Sequence, residues 1–273
     1  MKVILEKGTL KGEIDAIGSK SFAHRYLIAS FLSKKPCKVT NVPSSKDIEA
    51  TLNCIKALGG NFKRNGSEIE FSLRDAVPTN PVLDCIESGS TLRVFIPIAL
   101  ALTNEVTFKG TPRLIERGIG VYEKIMKEQE IEVNKTIDSI SFKGKFRSGF
   151  FDIDGSISSQ FVTGLLFALP LLEGDSIINL IPPVNSRNYI DISLQILDKF
   201  GILIENLDNN ILVAGNQKFN GNDSEVEGDY SNSAFIEAFN YFESEIKINK
   251  LEDKIDKKFK LPYPEAVFDI DYF

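Results

Sequence analysis

A chain of 273 residues, 42% hydrophobic and 26% charged with a net charge of −6, is long enough for one large or two ordinary cores. The acidic balance leaves no footprint for nucleic acid, although a local cationic pocket can still oppose the global sign. One histidine, His24, excludes multi-histidine metal centres, an H-E-x-x-H site and any triad built on another histidine.

Three cysteines, Cys37, Cys54 and Cys85, form no C-x-x-C pair and read as reduced core thiols of a cytoplasmic protein. The apolar run Val3–Leu5 stops at Glu6, too short for a secretory signal. Phe161–Leu172, interrupted by Thr163, Gly164 and Pro170, is too short to cross a membrane.

Read from the N-terminus, Ser21-Phe-Ala-His-Arg25 opens an apolar helix-like stretch that gives way to a strand at Val39–Val42. A second helix is expected over Asp47–Leu58, closed by Gly59 in a left-handed cap, with a strand at Ile69–Leu73. The pattern then restarts. Ser90-Thr-Leu-Arg93 leads through a helix to Val106–Gly110, a second helix over Gly120–Glu130 and a strand at Ile140–Phe142. Ser159–Thr163 leads to Ile177–Leu180, a helix over Tyr189–Phe200 and a strand at Ile211–Val213. In that last helix Ile190, Leu194 and Leu197 are expected to form the buried face, with Gly201 capping it. A fourth opening, at Ser231, runs to Ile246–Leu251.

The opening serines lie 69, 69 and 72 residues apart, which signals one supersecondary unit used repeatedly. Each unit reads helix, strand, helix, strand, strand, with a further strand before it. That is an α/β (α+β) layered domain, and three such units can close about a pseudo-threefold axis with the serine-headed helix starts near one another. The remainder from Gly228 is too short for a domain of its own and, with the N-terminal strands, reads as the beginning of a second one. The charged run Glu243–Lys260 reads as solvated surface.

Helix N-termini attract anions, and this chain places extra donors at them. Gly18-Ser-Lys-Ser21 puts a lysine and two hydroxyls at one start, with Arg25 one turn after Ser21. Glu87-Ser-Gly-Ser90 brings Gly89, which permits close backbone approach, and is followed by Arg93; Ser156-Ile-Ser-Ser-Gln160 crowds three hydroxyls and an amide. Serine is also a preferred N-cap, so each site alone reads as a plain cap. The repetition in register with Lys, two Arg and Gln is what points to an anion pocket. Further donors are expected in loops, at Arg113, Arg117 and Ser186–Tyr189.

These residues resemble the 5-enolpyruvylshikimate-3-phosphate (EPSP) synthases, the 3-phosphoshikimate 1-carboxyvinyltransferases of the shikimate pathway. The matches are Gly18-Ser-Lys-Ser with Arg25, Asp47-Ile-Glu with Ala57-Leu-Gly59, Ser88-Gly-Ser-Thr-Leu-Arg93 and Glu116-Arg-Gly-Ile-Gly120. They continue with Ile157-Ser-Ser-Gln-Phe161, Ser186-Arg-Asn-Tyr-Ile-Asp191 and Glu227-Gly-Asp229, in family order along essentially the whole chain. The sister family acting on a UDP-sugar is less similar: it carries Lys-Asn where this chain has Lys20-Ser21, and a cysteine loop that is absent here.

The resemblance implies two domains of three βαβαββ units each, with residues 18–227 forming the complete one and residues 1–17 and 228–273 beginning the other. It implies transfer of enolpyruvyl from phosphoenolpyruvate to the 5-hydroxyl of shikimate-3-phosphate by a monomer, with no metal or cofactor. Lys20 would serve both substrates near the reacting centre. Ser21 and Arg25 would take the shikimate carboxylate, Ser158, Ser159 and Ser186 the phosphate, and Gln160 and Tyr189 the ring. Gly89 and Arg117, with Lys20 and Gln160, would hold phosphoenolpyruvate.

Two departures stand out: the family's Arg-Pro-Ile-Gly is Arg117-Gly-Ile-Gly120, which loosens the turn, and its Asn-Ala-Gly-Thr is Glu87-Ser-Gly-Ser90. The family's aspartate base and further arginines lie beyond the point reached by Phe268–Phe273, so this chain alone is expected to bind phosphoshikimate without turning it over. The alternatives are a non-catalytic phosphoshikimate-binding module and a repeat domain whose serines only cap helices.

Overall fold

The computed structural model describes residues 8–241 and 244–251. Val3–Leu5, the Glu243 and 252–260 parts of the charged run, and Phe268–Phe273 lie outside the described residues. In chain order, β1 (Lys11–Asp15) precedes α1 (Lys20–Leu32), β2 (Cys37–Thr40), α2 (Lys46–Ala57), β3 (Asn61–Asn65) and β4 (Glu68–Ser72). Next come β5 (Val82–Asp84), α3 (Gly89–Leu102), β6 (Glu105–Lys109), α4 (Pro112–Glu116), α5 (Val121–Glu128), β7 (Glu132–Lys135) and β8 (Ser139–Lys143). The third stretch is β9 (Phe150–Asp154), α6 (Ser159–Ala168), β10 (Ser176–Ile181), α7 (Arg187–Lys199), β11 (Ile204–Leu207) and β12 (Asn210–Val213). Last are β13 (Ser224–Glu225), α8 (Tyr230–Tyr241) and β14 (Glu245–Asn249).

Three four-stranded sheets share one topology, each a parallel pair extended by an antiparallel hairpin: β13-β2-β4-β3, β5-β6-β8-β7 and β9-β10-β12-β11. The alternating burial of β6, β8, β9 and β10 turns one face of each sheet inward, as the period-2 pattern demands. Against those faces pack two kinds of helix. In α1 every residue from Phe22 to Leu32 is buried, its polar His24 and Arg25 included, and α3 and α6, apolar on most sides, are nearly as enclosed. α2, α5 and α7 are amphipathic and bury one stripe each. One continuous apolar core joins the three units, with Cys37, Cys54 and Cys85 buried in it as free thiols.

The structure departs from the simple reading in five places. The strand that precedes α1 does not join the first sheet: β1 pairs with β14, and the first sheet takes its parallel strand from β13. The chain therefore exchanges strands where it crosses at the Gly18–Gly228 bridge, next to the Ser19 N–H donating to the Glu227 carbonyl at 2.7 Å. Arg113 and Arg117 belong to helix α4 and its C-terminal cap, started by Pro112 and by a Thr111 hydroxyl that accepts from Leu114 N, and are not loop residues. Ser186 is likewise the N-cap of α7, in the left-handed region at φ 56°, and Arg187 to Tyr189 form its first turn. Finally, α7 buries Ser193 completely in place of Leu194, for a reason that lies in the site. The described part of the charged run is mostly β14, a strand rather than loop.

Candidate active site

The starts of α1, α3, α6 and α7 meet at a single cavity of about 350 Å³. Every unit contributes to its wall: Lys20, Ser21, His24, Arg25 and Thr51 from the first, Ser90, Thr91, Arg93 and Arg117 from the second, Ser158, Ser159, Gln160, Thr163, Ser186 and Tyr189 from the third. All the residues expected to act on ligands are brought together here, with Gly89 under the Arg117 guanidinium: a Cβ placed on Gly89 would lie 3.6 Å from Arg117 Nη1. Four helix N-termini at one cavity sum their partial positive ends and leave N–H groups facing it.

Hydrogen bonding separates serines that cap from serines that do not. Ser88 and Ser158 are caps, their oxygens accepting from Thr91 N and Gln160 N. Ser21, Ser159 and Ser186 have hydroxyls with no partner among the described residues, although Ser159 is buried. The Arg117 guanidinium likewise makes no hydrogen bond or ion pair among them. Donors left unpaired at the convergence of helix N-termini are what a bound anion requires.

The other cations are partly committed. Lys20 Nζ bonds Asp47 Oδ2 at 2.7 Å, with its side chain 40% exposed, so it keeps donors for a ligand. Arg25 is buried and spends its guanidinium inside the protein: Nε donates to Ser193 Oγ at 2.8 Å, Nη1 to the Ser21 carbonyl at 2.8 Å, and Nη2 to Thr163 Oγ1 and the Tyr189 carbonyl, both at 3.0 Å. This is why Ser193 replaces Leu194 on the buried face of α7. Arg93 Nη1 donates to Gln160 Oε1 at 2.8 Å, and Gln160 Nε2 donates to Ser90 Oγ at 2.9 Å, which fixes the amide with its remaining N–H available. Burial, and then the neighbouring Arg117 charge, hold the Arg93 pKa below the ordinary guanidinium range; two cations facing each other across a cleft favour an anion between them.

His24, Asp47, Thr51, Thr163 and Ser193 had no assigned role. For four of them the signal is in the sequence nevertheless: His24, Thr51, Thr163 and Ser193 each stand four residues after another polar residue on the same helix, Lys20, Asp47, Ser159 and Tyr189 respectively, whereas Asp47 has no such partner. The departure at Gly118 is also real in three dimensions. Its φ of 72° is closed to proline, so this turn is differently shaped from one built on Arg-Pro.

Fold and site together define a three-unit α/β protein that presents a cleft lined by cations and hydroxyls at the meeting of helix N-termini. A family model described as EPSP synthase (3-phosphoshikimate 1-carboxyvinyltransferase) matches residues 5–256, and the chain belongs to that family. Among curated relatives, the 3-phosphoshikimate 1-carboxyvinyltransferase of Clostridium perfringens (strain SM101 / Type A) is 39% identical over 260 residues, covering 92% of this chain and 60% of the relative. That of Clostridium kluyveri is 39% identical over 230 residues, covering 83% and 54%. The chain thus spans about 60% or less of the length of these relatives. The structure of EPSP synthase from Acinetobacter baumannii superimposes with a TM-score of 0.70 at 20% identity over 83% of this chain and 52% of that one, so the fold is shared.

Proposed function

We infer that the cleft is the shikimate-3-phosphate site of an enolpyruvyl transferase and that residues 18–227 form the domain carrying it, with 1–17 and 228–273 belonging to a second. The observation that carries this reading is the set of hydroxyls at Ser21, Ser159 and Ser186 without partners among the described residues, gathered at helix N-termini beside Lys20. Ser159 and Ser186, with the free proton of Ser158, hold the phosphate; a phosphate dianion there gains charge-assisted bonds and the helix-dipole field together. Ser21 takes the carboxylate. Arg25, with four of its five N–H groups already spent, mainly fixes the geometry around it. Gln160 and Tyr189 face the ring.

Phosphoenolpyruvate sits over Gly89 against Arg117, whose guanidinium has no hydrogen-bond or ion-pair partner among the described residues, with Lys20 reaching both substrates. Attack of the 5-hydroxyl on C2 of phosphoenolpyruvate needs a proton donor and charge stabilisation, and Lys20 is placed to supply part of both. The 273-residue polypeptide binds phosphoshikimate and does not turn it over; steady phosphate release from the two substrates by the purified chain would overturn that.

Binding itself is tested by calorimetry on Ser159→Ala and Ser186→Ala. Each removes a hydrogen bond to a charged group, worth about 1.5–3 kcal/mol, so each weakens shikimate-3-phosphate roughly ten-fold or more. Unchanged affinity in both would reduce the serines to helix starters.

A further inference from the structure

We propose that His24 is a positioning residue that acts on Lys20 through an ordered chain of three buried hydroxyls, Thr51, Thr91 and Ser88. Helices α1 and α2 face each other through two polar rungs. In the first, Lys20 Nζ meets Asp47 Oδ2 at 2.7 Å; one turn further along both helices, His24 Nδ1 meets Thr51 Oγ1, also at 2.7 Å. From Thr51 the chain continues to Thr91 Oγ1 at 3.0 Å, and Thr91 Oγ1 donates to Ser88 Oγ at 2.8 Å, with a longer approach of 3.4 Å to the Asp47 carbonyl. All three hydroxyl residues are at most 1% exposed.

Each hydroxyl owns one proton, and that fixes the order. The Thr91 proton points to Ser88 and the Asp47 carbonyl, so the Thr51–Thr91 contact holds a proton only if Thr51 supplies it. Thr51 must then accept from His24, which makes His24 the Nδ1–H tautomer with a bare Nε2. The opposite order would leave two oxygens 3.0 Å apart with no proton between them and a buried Nε2–H with no acceptor, the less tolerable orphan. Nε2 has no partner among the described residues. Burial pushes the ring pKa down to about 3, so it stays neutral between the charges of Asp47, Lys20 and Arg25 that surround it.

The far end of the chain reaches the site. Ser88, accepting from Thr91, keeps its own proton, and its hydroxyl lies near enough to the Asp47 carboxylate to favour the charge there. Burial works against the Asp47 charge, but Lys20, with help from the Ser88 hydroxyl, outweighs it and holds the carboxyl below its ordinary range. Asp47 is thereby gripped from two sides, and the Lys20 ammonium inherits its aim. This inference rests on the cleft being the phosphoshikimate site only for its consequence in binding, not for the chain itself.

The test uses the whole 273-residue chain, whose single histidine gives one set of ring nitrogen signals. Nitrogen-15 spectroscopy should show Nδ1 protonated and Nε2 bare between about pH 5 and 8. The Lys20 Cε and Nζ signals, assigned with Lys20→Arg, should move in Thr51→Val and stay in Thr51→Ser, which keeps the hydroxyl. Thr91→Val breaks the next link and should act as Thr51→Val does. Shikimate-3-phosphate affinity should fall about five-fold in Thr51→Val and under two-fold in Thr51→Ser. An Nε2–H tautomer, or Lys20 signals indifferent to Thr51→Val, would overturn the proposal whether or not the ligand binds. A parent chain that ignores shikimate-3-phosphate would instead overturn the assignment of the site.

Discussion

Arg25 shows how a residue in a ligand cleft can be structural first. Its guanidinium ties α1 to α6 and α7 through Thr163, Ser193 and the Tyr189 carbonyl. Arg25→Ala would remove four hydrogen bonds and a buried side chain, leaving Thr163, Ser193 and the Tyr189 carbonyl only their bonds to one another, and is expected to lower unfolding stability by about 3 kcal/mol or more, read as the shift of a urea midpoint. Ser159→Ala, by contrast, breaks no side-chain hydrogen bond among the described residues and should leave stability within about 0.5 kcal/mol while it weakens phosphoshikimate. The serines were legible as a repeated motif, since that needs only the chain order. The inward commitment of Arg25 was not, because helical spacing gives a face and not a partner, and its partners lie 138 to 168 residues away. His24 carries a pH prediction of its own. Its pKa is about 3 folded against about 6.5 unfolded, so the unfolded chain takes up the proton first as pH falls. Stability should therefore be flat above about pH 6.5 and decline by about 1.4 kcal/mol per unit from there toward pH 3. His24→Asn should flatten that slope relative to the parent, the comparison cancelling Asp47 and other carboxylates; parallel slopes would contradict it.

The elements were readable where periodicity runs long. α1, α3 and α6 carry long apolar runs and sit enclosed, and the alternating strands bury one face each, as their patterns required. The exchange of β1 and β13 was not readable, because a two-residue strand has no period and its pairing with β2 joins positions far apart in sequence. Close packing between α3 and α6 hangs on Gly164. A Cβ there would meet Tyr122 Oη at 2.5 Å, Pro97 Cγ at 2.9 Å and the Arg93 carbonyl at 3.0 Å. The Tyr122 hydroxyl is itself held by the Phe161 carbonyl at 2.8 Å and cannot yield without losing that bond. Gly164→Ala should therefore cost about 1–3 kcal/mol despite its better helix propensity, measured by thermal or denaturant unfolding.

At the scale of the molecule, three units share one core, while α8, β1 and β14 stand apart from it. α8 opens as the other serine-headed helices do, yet buries only Ser233 and leaves Phe235 and Phe239 more than half exposed; Leu10, Ile14 and Ile17 around β1 are exposed as well. Few buried contacts mean low local stability, so amides of α8, β1 and β14 in the 273-residue chain should exchange fast while those of α1, α3 and α6 exchange only through global unfolding. Uniform protection would contradict that division. The central claim is that the cleft reads the phosphate of shikimate-3-phosphate with donors this chain itself supplies. Calorimetry of the 273-residue chain decides it: the account predicts one shikimate-3-phosphate per chain, with unphosphorylated shikimate bound at least ten-fold more weakly because the phosphate contacts of Ser159 and Ser186 are lost. Equal affinity for the two compounds, or no heat with either, would contradict it.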